Sequence, residues 1–426
     1  MISIISTSIS PRLQYVCDFI FTQYYELTYE FISDATQTTS GNLIFYGLES
    51  EGSNAIKVSA TSLLSSTDTA PHTLNIAKTK SATLLYSFPE TEIGFDIFSA
   101  VFYVISRYEE YLETTPDEYG RFDAVNSVAY QNNFLHLPMV DIWLQEFGDL
   151  LTTHFPELVF ANHTFSFLPT YDIDIAFSYR AKGGLRNIGG FLKSPGIERI
   201  KVLIGKKQDP YDCFSDLEVL HQGYQLKPTY FFLLAQKLGE YDKNIAPSSA
   251  SLRQLIQSIS NTYEVGIHPS WQSYLQVSTI KQEIKLLENI TEKTISKSRQ
   301  HYIRMRLPDS YQTLIKCGIK NDHSMGYGTM NGFRASTSFP FYWYDLATEK
   351  VTSLKIHPFC YMDATSIFQH KHTADNAFEE MKNLGETCKK YSIPFISIFH
   401  NNLLGADKLS QSYKKMYEAF IKDILK

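Results

Sequence analysis

The chain is predicted to be an α/β protein. A (β/α) barrel, or a variant of one, is expected over residues 163–426, behind a smaller mixed α/β region over residues 1–162. Two observations support this. From Phe165 onward, strand-like and helix-like runs alternate, which argues for parallel strands with helices outside. Polar residues gather directly after the strand-like runs, and in a barrel those ends open on one face.

In chain order, Leu13–Tyr25 has helical apolar spacing, and Asn42–Leu48 and Ser81–Phe88 read as strands. Ser59–Thr69 reads as a solvated loop between them. Ile97, Val101, Val104, Ile105 and Tyr108 fall on one helical face, and the helix is expected to continue through Glu109–Leu112. Trp143–Leu151 is a further amphipathic helix, and the polar patch Asn162-His163-Thr164 marks the boundary. Beyond it, the expected strands are Phe165–Leu168, Thr229–Leu234, Tyr263–Ile267, Leu354–Ile356 and Pro394–Phe399. The expected helices are Leu252–Ser260, Thr279–Ile290, Tyr311–Cys317 and Ala374–Tyr391. Residues 181–212, rich in Gly and Lys, read as an insertion: a surface loop with a short helix, or a lid. They do not match a phosphate-binding loop.

Composition narrows the function classes. With 43% hydrophobic and 20% charged residues, the chain has a globular make-up. A net charge of −6 and the absence of a long basic tract argue against nucleic acid or an anionic membrane as partner. The five scattered cysteines include no C-x-x-C pair, so neither a disulfide framework nor a cysteine zinc cage is expected. No signal-peptide pattern or membrane-spanning run is evident, so the expected location is the cytoplasm.

The chemistry-bearing residues start with Asp172 and Asp174, two carboxylates two positions apart beside an apolar run. Asp is a poor strand former and costly to bury, so the pair suggests a site, although a turn or a helix cap would also place them there. His268 follows Val265-Gly266-Ile267; Arg299, His301, Arg304 and Arg306 follow the helix at 279–290; His400 follows Phe395–Phe399, with Asn401 and Asn402 next. Candidates of lesser weight are Asp322 and His323, Gly326–Gly328, Arg334, His357, Asp363, Trp271 as a sugar-stacking ring or a core residue, and Ser270 and Ser273 without a nucleophile elbow.

Read in order, Thr170-Tyr171-Asp172-Ile173-Asp174, Glu264–Trp271 with His268-Pro269, Arg299-Gln300-His301-Tyr302 and Ile398-Phe399-His400 resemble the ordered motifs of the polysaccharide deacetylases. These are metal-dependent carbohydrate esterases on a distorted (β/α) barrel, and the resemblance spans about residues 165–405. It implies that Asp172 is the general base and His400 the general acid, with a pKa near neutrality. Arg299 would position Asp172 and keep it ionised. Asp174 and His268 would bind a divalent metal, most readily zinc, and the backbone N–H near Tyr302 would face the oxyanion.

The chain departs from the family pattern where a second histidine is expected. That position holds Gln272, a poor zinc ligand. Zinc wants three protein ligands and an open position. His301, standing where the family commonly has proline, is the candidate third ligand; otherwise the metal is weakly held, different or absent. The expected activity is therefore removal of an acetyl group from an N- or O-acetylated carbohydrate. The alternatives are a carbohydrate-binding or scaffold relative that has lost the metal, and a metal-dependent hydrolase of a non-sugar amide. Sugar, acyl group, oligomeric state and the role of residues 1–162 are left open.

Overall fold

The computed structural model describes residues 1–34, 37, 41–48, 55–181 and 197–426. Its first sheet is built from β1 (Ile2–Ser6), β2 (Tyr29–Ile32), β3 (Leu43–Tyr46) and β4 (Ile56–Val58), in the order β2-β1-β3-β4, all parallel. β1 is apolar at Ile2, Ile4 and Ile5 and buried along its length, as a central parallel strand requires. The helix Pro11–Cys17 starts on Ser10, whose hydroxyl accepts the Leu13 N–H, with proline at the first helical position. It runs on as a π-helical stretch, Asp18–Tyr24.

Two expectations for this region need correction. Only Thr83–Leu84 (β6) of the Ser81–Phe88 run is strand, paired with Ala77–Lys78 (β5); Tyr86 at φ 54° turns the chain out of extended form. The helix Ile97–Ile105 is buried all round and does not continue to Leu112. Arg107 adopts φ 56°, and a separate 3-10 turn, Tyr108–Tyr111, follows. The break lets the buried Arg107 guanidinium meet both Glu109 (2.8 Å) and Glu110 (2.7 Å).

The second sheet has nine strands: β7 (Ser166–Ile173), β8 (Thr229–Leu233), β9 (Glu264–His268), β10 (Lys297–Ser298), β11 (Asn321–Asp322), β12 (Phe341–Asp345), β13 (Lys350–Ile356), β14 (Tyr361–Met362) and β15 (Pro394–His400). Their order is β12-β13-β11-β10-β9-β8-β7-β15-β14, and only the β12–β13 pair is antiparallel. All five strands expected in this half are present, as are the four helices, here Ala250–Thr262, Val277–Thr291, Asp309–Lys316 and Ala374–Lys390. Among the described residues no ladder joins β12 to β14, so strand pairing leaves the sheet open where a barrel would close. Between β11 and β15 the main chain is bridged instead by the Phe359 N–H to Met325 C=O bond and the Cys360 N–H to Ile396 C=O bond.

Of the expected insertion at 181–212, residues 182–196 lie outside the described residues. The remainder forms the helix Ile197–Leu203 and a loop anchored by Asp209, whose carboxylate accepts the N–H groups of Ser178, Tyr179 and Arg180.

One continuous hydrophobic core runs from Ile2 to Ile424. Buried polar links also cross it: Arg12 to Glu349 (2.7 Å), the Tyr15 hydroxyl to the Tyr342 carbonyl (2.7 Å) and Arg334 to Glu110 (2.7 Å).

Candidate functional site

β7 and β15 are neighbours in the sheet, with His400 opposite Asp172 in register. Asp172 is buried one residue before the end of β7, and Asp174, two residues on, lies on the same side of the chain. β9 ends at His268, and the turn after β10 supplies Arg299 and His301. The ends of four parallel strands thus bring Asp172, Asp174, His268, Arg299, His301 and His400 together. All but Arg299, which lies beneath, line one cavity of about 310 Å3.

Arg299 is fully buried. Its Nη1 donates to Asp172 Oδ1 (2.9 Å) and to the Thr170 hydroxyl (2.7 Å), and its Nε donates to the His323 carbonyl (2.9 Å). The guanidinium lies 4.5 Å from the centre of the Phe231 ring. Gly266 makes room for that ring, since a Cβ there would meet it at 2.6 Å.

The three metal-ligand candidates converge. His268 donates from Nδ1 to the Arg299 carbonyl (2.6 Å), which turns Nε2 toward Asp174 Oδ1 at 3.2 Å. His301 donates from Nδ1 to Asp242 (3.1 Å), and its Nε2 lies 3.6 Å from Asp174 Oδ2. Asp174 Oδ1 is buried with no hydrogen-bond partner, and one ligand atom from each residue lies within 4.8 Å of the others. Two imidazoles and a carboxylate, each ring fixed through its far nitrogen, are a donor set that suits zinc. Burial opposes the ionised Asp174, but His301 and His268 outweigh it and hold the carboxyl well below its usual range. Burial likewise opposes the His301 cation, yet Asp174 and Asp242 push it up to about 9.

Gln272 takes no part. Its side chain donates to the Lys237 carbonyl (2.9 Å) and does not line the cavity.

His400 is held by Asp363, which accepts both its backbone N–H (2.7 Å) and its Nδ1–H (2.6 Å); Nε2 lies 3.7 Å from Asp174. Burial would lower this imidazole, but Asp363 and then Asp174 push it up to about 10.

Most other candidates fall outside the cavity. Trp271 is sandwiched, with the Tyr241 ring stacked at 4.1 Å and the Arg304 guanidinium at 3.9 Å, which leaves no face for a sugar. Arg306 pairs with Asp309 (2.7 Å) in solvent, and His323 stacks on His357 (4.5 Å) in the interior. Asp322 binds Ser298 and Ser324, Asn401 binds the Ile175, Ala176 and Tyr211 carbonyls, and Ser270 accepts the Ser273 N–H. Asn402 and Gly328 do line the cavity.

Sequence reasoning missed Asp242 and the contribution of the N-terminal region. Asp117 Oδ1 accepts the N–H groups of Tyr119 and Arg121 (2.9 Å each), and Gly120 at φ 74° completes a turn that carries both side chains into the cavity wall. Arg121 pairs with Asp117 (2.6 Å) and donates from Nη1 to the Tyr302 carbonyl (2.5 Å). Tyr302 and Ile303 sit at φ 60° and 53°, a left-handed pair that is costly for a β-branched residue. The Tyr119-Gly120-Arg121 turn has a glycine signal, but nothing in the sequence links it to a motif nearly two hundred residues away.

Comparison with known proteins gives only low sequence identity. Residues 2–156 match a family of unknown function (DUF7033). No curated protein matches the chain. Among solved structures, a provisionally assigned polysaccharide deacetylase from Mycobacterium smegmatis is 14% identical, covering 62% of this chain and 85% of its own, with a TM-score of 0.40. A polysaccharide deacetylase from Bacillus cereus is 12% identical, covering 62% and 88%, with a TM-score of 0.32. A pseudoenzyme of carbohydrate esterase family 4 from Bacillus anthracis is 8% identical, covering 62% and 60%, with a TM-score of 0.30. No helix among the described residues is long and apolar enough to cross a membrane.

Proposed function

We propose that this protein is a metal-dependent hydrolase that removes an acetyl group from an acetylated carbohydrate, and that its second sheet is a variant of the distorted deacetylase barrel. The observation that carries the reading is the Asp174–His268–His301 donor set, flanked by the Asp172–Arg299 pair on one side and the His400–Asp363 pair on the other. The four motifs quoted above support the substrate class. Asp174, His268 and His301 would hold a divalent cation, most readily zinc, which supplies Lewis acidity to water and to the acyl carbonyl.

The chain's own groups account for the proton transfers. Asp172, fixed at Oδ1 by Arg299, takes a proton from water at Oδ2. The oxygen of that water adds to the acyl carbonyl carbon, and the backbone N–H of Tyr302 faces the charge that develops. His400, anchored through Nδ1 and raised toward the protonated form, gives its Nε2 proton to the leaving nitrogen or oxygen as the acyl bond breaks. Acetate and the free amine or hydroxyl result. Ile175, Met362, Ala364 and Leu403 give the cavity the apolar surface an acetyl methyl needs. Tyr119 and Arg121 make the N-terminal region part of the site.

The test is metal content and acetate release from N-acetylated oligosaccharides, measured side by side. His268→Ala and His301→Ala should each lose one metal equivalent and the activity, while Gln272→Ala should lose neither. Full activity in both histidine variants would overturn the reading.

A further inference from the structure

Behind the part of the cavity wall formed by Ala364, Phe368 and Gln369 lies a second convergence of metal-ligand side chains. The π-helical turn Thr365–Gln369 runs directly into His370 and His372, and the helix Ala374–Lys390 brings Glu380 back to both. His370 Nδ1 lies 2.9 Å from Glu380 Oε1, and His372 Nδ1 lies 3.5 Å from Oε2. The two ring centres are 5.1 Å apart. We propose that His370, His372 and Glu380 form a second site for a divalent transition-metal ion of the zinc class, separate from Asp174, His268 and His301.

Three observations carry this. The ligand set is right: two imidazoles and one carboxylate select zinc-like ions over magnesium or calcium, and a ligand atom from each residue lies within 4.8 Å of the others. The carboxylate is pre-oriented: Glu380 Oε2 accepts from Asn331 Nδ2 (2.8 Å) and from the Ser366 hydroxyl, the kind of support that ligating carboxylates have. Finally, the Nδ1 atom of His372 is buried and has no hydrogen-bond partner. An imidazolium–carboxylate pair between His370 and Glu380 explains one histidine. It does not explain why the second aims an unpaired nitrogen at the same carboxylate. The side chains are 26%, 29% and 18% exposed, which leaves an ion a route in and room for a solvent ligand.

The site has a structural consequence for the cavity. Asn331 also accepts the Met362 N–H (2.8 Å), so the network runs from Glu380 to a cavity-lining residue. An ion at His370 would pin the turn that presents Phe368 and Gln369 to the substrate.

The experiment is metal stoichiometry on untagged full-length protein, stripped with a chelator, dialysed against zinc and analysed by mass spectrometry. Wild type should hold two ions per chain. His372→Ala and Glu380→Gln should each hold one, retained at the first site, with unchanged circular dichroism. His268→Ala and His301→Ala should also hold one. The proposal is overturned if the His268→Ala protein holds none, or if both His372→Ala and Glu380→Gln hold as much as wild type. A chain that holds a single ion, lost in His372→Ala but kept in His268→Ala, supports this site and overturns the hydrolase reading instead.

Discussion

Gly328→Ala should disable the cavity through Arg121 without touching any proposed ligand. A Cβ at 328 would lie 2.1 Å from Arg121 Nη1 and 2.9 Å from its Cζ. Restoring an ordinary contact of about 3.4 Å requires the guanidinium to move by about 1.3 Å. Such a move lengthens the 2.5 Å bond from Nη1 to the Tyr302 carbonyl past hydrogen-bonding range. The peptide between the left-handed pair Tyr302 and Ile303 then loses one of its two hydrogen bonds and keeps only that from the Ile303 N–H to the Gln300 carbonyl (2.8 Å). A hydrogen bond to a charged group is worth about 1.5–3 kcal/mol, so kcat should fall roughly 10- to 150-fold. Arg121→Ala should cost about the same, and the double variant should cost no more than either, because all three remove one interaction. The assay is steady-state acetate release, with zinc content measured in parallel to show that the donor set stays loaded. Additive losses, or a Gly328→Ala enzyme within about twofold of wild type while Arg121→Ala is impaired, would refute the lever from Arg121 to Tyr302.

Three more predictions can be checked directly. Asp363→Asn removes the charge that raises His400, so His400 loses its proton at lower pH; the alkaline limb of the pH–rate profile should move down by a unit or more, whereas a limb that stays put removes His400 as the acid. Asp141 is fully buried, and desolvation pushes it up to about 7 from 3.8 although the Thr337 and Tyr24 hydroxyls partly offset it. Because the folded state binds this proton more tightly, stability is lost as pH rises from about 4 through 7; Asp141→Asn should raise Tm at pH 8, by up to about 4 kcal/mol in stability, and leave it nearly unchanged at pH 4, an effect that equal shifts at both pH values would contradict. Gln272→His should add no zinc to the first site, because that side chain faces Lys237; a tighter site would show that it can swing in.

The legible part of the fold was its second half. Near-continuous apolar runs such as Phe395–Phe399 and amphipathic runs such as Thr279–Ile290 carry their own signals, and both formed as expected. The two-residue strands β10 and β11 were not legible, since their form is dictated by neighbouring strands more than by Lys297-Ser298 or Asn321-Asp322. At the site, the motifs pointed to the six residues that converge. His301 was open in the sequence because its role depends on Asp242, a lone acid in an irregular loop. Asp363 carries little weight in the sequence, because its meaning depends on the Nδ1 of His400 across a strand pair. Arg121 could not be foreseen at all, because a long-range hydrogen bond to a backbone carbonyl leaves no trace in composition or periodicity.

The pairing of β7 with β15 also bears on how the chain is made. The seven register pairs between them include Asp172 with His400, and the Thr170 hydroxyl bonds the Ser397 carbonyl across 227 residues of chain. During synthesis β7 emerges first and must wait, with one edge unpaired, until the more than two hundred residues up to β15 have left the ribosome. Until then it offers a long, apolar edge to other chains, the state most prone to aggregate. Asp172 and His400, the proposed base and acid, meet only when that edge is covered, so a chain that stops before β15 should lack the proposed activity.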